Sequence, residues 1–218
     1  MSTALLIFAR RPRDEARAKR LARSSQANRR VAALLLEQTK RAARQSGLPV
    51  VVVSGPQQRG QTFGERLSNA FSDVFAQGFD RVIALGSDWL GIQPGRLREA
   101  AARLDEVDTV LGPTPRGGVY LLGLTRAAFE QGAVEALPWQ TPRLFEALVR
   151  AYGPSTAVLA ADTDVNASYD LGMLRHRASR LQRTLLALLS SSTTTDRPLH
   201  RLAAGYRLSV ALRGPPQA

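Results

Sequence analysis

The sequence predicts one α/β domain with a mostly parallel, Rossmann-like sheet and helices on both faces. Short apolar runs of strand length alternate with helix-like segments along the chain. Most of these runs are continuously apolar, a pattern typical of strands that are buried on both faces in a parallel sheet. A length of 218 residues, 44% of them hydrophobic, fits one domain with an extension better than two full domains.

The first half of the chain alternates strands with helices. Residues 3–9 (TALLIFA) form an apolar run that a turn-like Arg-Pro-Arg-Asp ends. A long helix is predicted over residues 25–45, because apolar residues follow one side of it and Gly47-Leu48-Pro49 ends it. Residues 50–54 are a second buried strand before Gly55-Pro56, and residues 63–75 form an amphipathic helix with apolar residues spaced by four.

The same alternation continues in the second half. Residues 81–85 (RVIAL) are the third strand and lead directly into Gly86-Ser87-Asp88. A helix is predicted over residues 94–104, where Pro94 suits the first turn. Strands at 109–111 and 119–124 flank Gly117-Gly118, and a helix at 142–151 precedes a last strand at 156–160. Such alternation favours a parallel sheet covered on both faces.

The predicted domain covers residues 1–172, and residues 173–218 form a basic extension. Residues 174–188 have apolar side chains at steps of three and four with arginines off that stripe, as in a basic amphipathic helix. A polar linker follows at 190–195, and alternation over 206–212 predicts an edge strand. The helix is predicted to pack on its own domain or a dimer partner; the alternative is peripheral contact with an anionic membrane.

Composition narrows the class of protein. The chain has no cysteine, which excludes disulfides, thiolate metal sites and a cysteine nucleophile. It has no apolar run of roughly 20 residues, and its apolar start precedes the arginines instead of following them, unlike a signal peptide. We therefore expect a cytoplasmic protein.

The charge is positive at both ends of the chain. It is +9 over residues 1–44, −4 over 45–171 and +7 over 172–218. Such ends suit phosphate groups or an anionic surface, and a solvated arginine-rich surface is the alternative. Nucleic acid is the least favoured partner, because no nucleic-acid motif or aromatic platform accompanies the arginines.

Three predicted loops at the carboxyl ends of strands carry the candidate chemistry, since ligands of open α/β sheets bind at that edge. The first loop is cationic and suits phosphates; the loop after the third strand holds Asp88; the loop after the last strand holds Asp162 and Asp164. Oxygen ligands of this kind suit Mg²⁺ or Mn²⁺. The alternatives are an N-cap or turn role for Asp88, a tight hairpin at Gly117-Gly118, and core positions for the tryptophans.

A series of short motifs runs through residues 3–171 in a recognisable order. They are Lys19-Arg20-Leu21, Phe63-Gly64-Glu65-Arg66-Leu67, Gly86-Ser87-Asp88, Leu111-Gly112-Pro113, Gly117-Gly118 with Tyr120-Leu121-Leu122-Gly123, Pro138-Trp139 with Thr141-Pro142-Arg143, and Asp164-Val165 with Asp170-Leu171. In the order and spacing of these motifs the chain resembles small bacterial glycosyltransferase-A-like proteins related to the guanylyltransferase that acts on phospholactate. The resemblance implies a glycosyltransferase-A type sheet, a nucleotide-diphosphate donor, a divalent metal on Asp88 and a phosphate contact from Arg20.

This sequence departs from the family pattern around the implied metal. Ala18 stands where the family has a lysine, Trp89-Leu90 replaces Cys-Pro, Arg116 replaces an acidic residue, and Asn166 and Ala167 replace aspartate and threonine. Asparagine is a poorer ligand for a hard cation, so Asp162 is a candidate replacement. Arg116 is a candidate to neutralise the diphosphate directly. The sequence therefore identifies a divergent member of this family.

The function predicted is transfer from a nucleotide sugar with a divalent metal. The alternatives are nucleotidyl transfer, and a catalytically degenerate protein that acts as a binding or scaffold module. The candidate residues are Arg10, Arg11, Lys19, Arg20, Arg116, Gly117 and Gly118 for the nucleotide and its phosphates; Asp88, Asp162 and Asp164 for the metal; and Trp89 and Trp139 for stacking.

Overall fold

A computed structural model describes residues 1–22 and 24–164 of the chain. The strands are β1 (Thr3–Ala9), β2 (Val50–Ser54), β3 (Arg81–Leu85), β4 (Thr109–Pro113), β5 (Val119–Thr125) and β6 (Thr156–Val158). The helices are α1 (Pro12–Ala18), α2 (Ser25–Gln45), α3 (Phe63–Phe75), α4 (Pro94–Arg103), α5 (Arg126–Glu130), α6 (Ala133–Ala136) and α7 (Leu144–Tyr152), with a 3₁₀ turn at Gly55–Gln57.

The strands form one six-stranded sheet in the order β2-β1-β3-β5-β4-β6. β1 pairs in parallel with β2 and β3, and β4 pairs in parallel with β6. β5 is antiparallel to both β3 and β4. A short turn at 114–118 joins β4 to β5, and these two strands are antiparallel because a parallel pair would need a long crossover connection. The predicted fold class, a mostly parallel α/β sheet, is confirmed.

Helices cover both faces of the sheet and enclose two apolar layers. On one face, Leu6 and Phe8 of β1 pack with Phe71 of α3 and Leu148 of α7. On the other face, Leu5 and Ile7 of the same strand pack with residues of α2 and α4. Alternate residues of β1 thus enter different layers, and the whole of β1 is buried. This explains its continuous apolar sequence.

Several helices are set by their caps. The Ser24 hydroxyl accepts a hydrogen bond from the Ala27 amide at 3.1 Å and begins α2, and the Thr62 hydroxyl does the same for Glu65 at the start of α3. Gly78, predicted at the end of α3, has a φ of +91°. The left-handed conformation is one that glycine adopts at little energetic cost, so it ends the segment there.

The prediction of a loop after β1 was wrong, because residues 12–18 form the helix α1. Pro12 occupies its first turn, where a missing amide proton is harmless, and Asp14 and Glu15 favour a helix N-terminus. The short helices α5 and α6 were also not predicted, since neither is long enough to show an amphipathic period. α7 begins at Leu144 instead of residue 142, and β6 ends at Val158 instead of residue 160.

The predicted basic extension at 173–218, with its helix at 174–188, lies outside the described residues. Asn166 and Ala167 also lie outside them. Within residues 1–22 and 24–164, no helix has the length and apolar content needed to span a bilayer.

Candidate functional site

A cleft of about 520 Å³ opens at the edge of the sheet where the carboxyl ends of β1, β3 and β4 meet the start of β5. The first turns of α3 and the segment before α7 form its opposite wall. This is the edge at which open α/β sheets bind ligands and at which the sequence analysis expects the ligand.

One part of the cleft is lined by charged side chains that pair with one another around α1. The Lys19 ammonium lies 2.5 Å from Oδ2 of Asp88 and 3.3 Å from Oε1 of Glu15. A guanidinium nitrogen of Arg10 lies 3.2 Å from the other oxygen of Glu15. Glu15 is buried, and two basic side chains share its charge. The predicted basic loop is therefore a paired cluster of two cations and two carboxylates.

Lys19 stays protonated at neutral pH. Its burial, the largest influence, would lower its pKa, but the carboxylates of Asp88 and Glu15 together outweigh burial, so the pKa is raised above its ordinary value. Helix α1 ends here, and the Lys19 amide donates to the Glu15 carbonyl at 2.8 Å. The lysine thus presents a permanent positive charge beside Asp88.

Asn28, in the first turn of α2, holds the segment that carries Lys19. Its Oδ1 accepts hydrogen bonds from the amides of Leu21 at 2.8 Å and Ala22 at 3.2 Å. Its Nδ2 donates to the carbonyls of Ala16 at 2.7 Å and Lys19 at 2.8 Å. The side chain is buried, so one amide group satisfies four backbone groups and determines where α1 ends.

Asp88 and Asp164 both line the cleft, as predicted for a shared cation site. They come from loops that are distant in sequence, and an antiparallel bridge between Trp89 and Asp164 joins the two loops. Two carboxylates suit a hard cation that completes its shell with water and with substrate phosphates. Within the described part of the chain there is no group of three or more acidic or histidine side chains that could hold a metal. The residues therefore fit a cation shared with a phosphate ligand, not one held by protein alone.

Asp162 is not brought into the cleft with the other two carboxylates. Its Oδ2 accepts hydrogen bonds from the Trp89 indole at 3.0 Å and from Arg96 at 2.8 Å. The Asp162 carboxylate packs directly against Gly91, and a Cβ atom on residue 91 would overlap it. Asp162 therefore anchors the loop that carries Asp164.

Trp89 is a packing residue in this structure. It is 1% exposed, and its ring stacks on Tyr120 with the ring centres 4.2 Å apart. The Tyr120 hydroxyl donates to the Ala160 carbonyl at 2.9 Å, and burial raises the pKa of Tyr120. This pair braces the segment that leads to Asp164, and Trp89 does not line the cleft.

The second predicted tryptophan, Trp139, lines the other, aromatic end of the cleft. Its ring lies 5.2 Å from that of Phe63, which in turn meets Phe8 edge-on at 5.6 Å. The Trp139 indole donates to the Val134 carbonyl at 2.7 Å, which holds the ring in place. The cleft therefore has a charged end and an aromatic end.

The turn between β4 and β5 brings Arg116 and Gly118 to the cleft. Thr114 closes the turn, with its amide donating to the Gly118 carbonyl at 2.9 Å. Gly117 has a φ of +77°, and a Cβ there would overlap the Pro142 carbonyl oxygen. Gly117 is thus required by the hairpin, and Gly118 and Arg116 face the cleft.

Three residues predicted to contact the nucleotide and its phosphates, Arg11, Arg20 and Gly117, do not line the cleft. Arg11 is exposed and pairs with Asp14 at 3.0 Å, and Arg20 is exposed on the segment after Lys19. Conversely, Glu15 and Gln58 line the cleft, and neither was predicted from the sequence to do so. The Gln58 amide nitrogen donates to the carbonyls of Ala9 at 3.0 Å and Val53 at 3.4 Å. Its position just after β2 was the available signal, since that strand ends at the same edge.

The sequence also places the chain in a family. The model of the family described as uncharacterized protein conserved in bacteria, DUF2064, matches residues 17–141. The chain belongs to this family. The match spans the segment from Arg17 to Thr141 and so includes Lys19, Asp88 and the β4–β5 turn. No curated protein matches the chain.

Solved structures share the fold. A candidate nucleotide-diphospho-sugar transferase of Desulfovibrio desulfuricans G20 is 21% identical, with a TM-score of 0.74 over 88% of this chain and 96% of its own. A cytidylyltransferase of Leptospira borgpetersenii serovar Hardjo-bovis is 14% identical, with a TM-score of 0.50 over 92% of this chain and all of its own. At these identities the likeness shows the fold alone, which this chain shares with both proteins.

Proposed function

We propose that this DUF2064 protein is a transferase that takes a nucleotide sugar as its donor and holds it with Mg²⁺ or Mn²⁺. The observation that supports this most is the set of charged side chains that line the cleft at this edge of the sheet: the carboxylates of Glu15, Asp88 and Asp164, and the basic side chains of Arg10, Lys19, Arg66 and Arg116. A diphosphate needs both kinds of group: cations for its own oxygens, and carboxylates for the metal that bridges them. The fold shared with nucleotide-diphospho-sugar transferases supports the same donor.

The residues divide the work according to their chemistry. Asp88 and Asp164 would hold the divalent cation, which neutralises charge on the departing nucleoside diphosphate. Of the basic side chains that line the cleft, Arg10, Lys19 and Arg116 would contact the phosphate oxygens. Together, the bound cation and these basic residues would stabilise the leaving group.

The aromatic end of the cleft suits the flat parts of such a donor. Trp139 and Phe63 offer ring surface for a base or a sugar face. The Gln58 amide is oriented by two backbone carbonyls, which receive its N–H groups. Its Oε1 is therefore the atom left to accept a hydrogen bond from a base.

The test is ligand-dependent thermal stability. Wild type and Asp88→Asn are heated with a panel of nucleoside diphosphates and nucleotide sugars, with and without Mn²⁺. A ligand present at about 100 times its Kd adds roughly 2.7 kcal/mol to stability, which raises Tm by about 5–10 °C in a protein of this size. We expect such a rise in wild type with Mn²⁺ and its loss in Asp88→Asn.

Asp73→Asn is the matched control, because Asp73 pairs with exposed Arg59 at 2.6 Å and does not line the cleft. It should keep the full ligand response. If no ligand shifts the Tm of wild type, with or without metal, the transferase proposal is contradicted. A catalytically degenerate binding or scaffold protein then becomes the better hypothesis.

Nucleotidyl transfer is the second candidate, because the chain also shares its fold with a cytidylyltransferase. The same screen, extended to nucleoside triphosphates, separates the two. A nucleotidyltransferase binds a nucleoside triphosphate as donor, so stabilisation by triphosphates but not by nucleotide sugars would favour it. The acceptor, a dimer, and membrane contact through residues 174–188 remain predictions.

A further inference from the structure

Asp88, which would bind the metal, already forms an ion pair with Lys19 of the same chain. The Lys19 ammonium lies 2.5 Å from Oδ2 of Asp88, at the distance of a strong charge-assisted hydrogen bond. The two side chains are 15% and 29% exposed, so water screens this pair only partly. The ammonium therefore competes with a divalent cation for the charge of this carboxylate.

Neighbouring residues hold both the side chain and the backbone of Lys19 in position. Glu15 attracts its ammonium from α1 at 3.3 Å, and Arg10 keeps Glu15 in place. The backbone carbonyl of Lys19 accepts a hydrogen bond from Asn28 at 2.8 Å. Since the lysine sits at the end of α1, its side chain can turn toward the cleft without unwinding the helix. The ammonium is thus well placed but is attached by a flexible stem.

A ligand that carries negative charge would be a strong new partner for the ammonium in this cleft. A phosphate oxygen that enters beside Asp88 would attract Lys19 while adding ligands for a metal. Both changes favour the exchange of the ammonium for a divalent cation on Asp88. Metal and donor would then each increase the affinity of the other, as linkage requires.

We propose that Lys19 is a gate on the metal site: it neutralises Asp88 in the absence of donor and releases this carboxylate to the metal when it moves to the donor's phosphates. The inference rests on the proposed function for the identity of the donor. The gate itself concerns only the competition between Lys19 and a cation for Asp88, so it can be tested with metal alone.

The test measures Mn²⁺ binding by the electron paramagnetic resonance signal of the free ion, on the whole protein without nucleotide. Lys19→Met should bind Mn²⁺ about tenfold or more tightly than wild type, because the competing cation is gone. Lys40→Met is the matched control, since Lys40 is the other lysine of the chain and pairs with exposed Glu37 at 3.0 Å. It should bind Mn²⁺ as wild type does.

Adding Asp88→Asn to Lys19→Met should abolish the gain in affinity, which places the gain on this carboxylate. If loss of the lysine destabilises the fold by leaving buried Glu15 short of one partner, Lys19→Met with Glu15→Gln removes both charges and should show the same gain. Equal Mn²⁺ affinity in wild type and in a folded Lys19 variant would overturn the gate.

A second arm adds UDP, CDP or GDP to the same titration. In wild type, the diphosphate that binds should tighten Mn²⁺ about tenfold or more, and this coupling should be weaker in Lys19→Met. Failure of every diphosphate to bind wild type would contradict the proposed donor and leave the metal-alone result for the gate intact. Undiminished coupling in Lys19→Met would overturn the exchange of Lys19 between Asp88 and phosphate.

Discussion

Replacing Asn28 should loosen the segment that presents Lys19 to the cleft. The side chain makes four hydrogen bonds to backbone groups and is 6% exposed. At a net value of about 1 kcal/mol for each hydrogen bond, Asn28→Ala should lower the free energy of unfolding by about 3–4 kcal/mol after partial rehydration. This is a large fraction of the 5–15 kcal/mol that is typical of a folded domain.

Asn28→Asp is a stricter version of the same test. The aspartate keeps an oxygen for the two amides but turns its second oxygen toward two backbone carbonyls, so the loss should at least equal that of alanine. Urea unfolding followed by circular dichroism measures both losses. Asn69→Ala is the control, because Asn69 is exposed and donates one hydrogen bond, to the Arg59 carbonyl at 2.8 Å.

Asn69→Ala should lower the free energy of unfolding by no more than about 1 kcal/mol. If Asn28→Ala lowers the free energy of unfolding as little as this control does, the four hydrogen bonds of Asn28 do not stabilise the segment between α1 and α2 as we expect.

Two further predictions concern the hairpin and pH. Gly117→Ala should destabilise the protein by about 2–4 kcal/mol, because it combines a positive φ with overlap on Pro142; Gly47→Ala, with a φ of +81° and open space, should lose only about 1 kcal/mol. Equal losses of stability in the two variants would contradict the expected overlap of a side chain at residue 117 with Pro142. Burial raises the pKa of Tyr152 to about 12. The folded protein therefore keeps this proton while the unfolded chain loses it, and stability falls by about 1–2 kcal/mol from about pH 10 to 12. Urea midpoints across that range should decline less in Tyr152→Phe, and an identical decline would contradict this assignment.

The sequence alone determined the order of the six strands and of the longer helices, and the sheet edge to which Asp88 belongs. β1, β2 and β3 were predicted with their observed bounds, because continuous apolar runs end at turn residues. α2 and α3 were predicted equally well, since both are long enough to show a repeating apolar side. Asp88 was expected at the edge because it follows β3 directly.

Only the tertiary structure decided which side chains meet there. Lys19 and Asp88 are 69 residues apart in the chain, and their pairing depends on how α1 ends against α2. Trp89 lies next to Asp88 in sequence, yet it is buried against Tyr120 while Asp88 lines the cleft. Asp162 and Asp164 are also close in sequence but differ in their surroundings. Asp162 pairs with Arg96, whereas Asp164 lines the cleft. Local spacing sets where a residue lies along an element, but long-range packing sets which partner its charge finds.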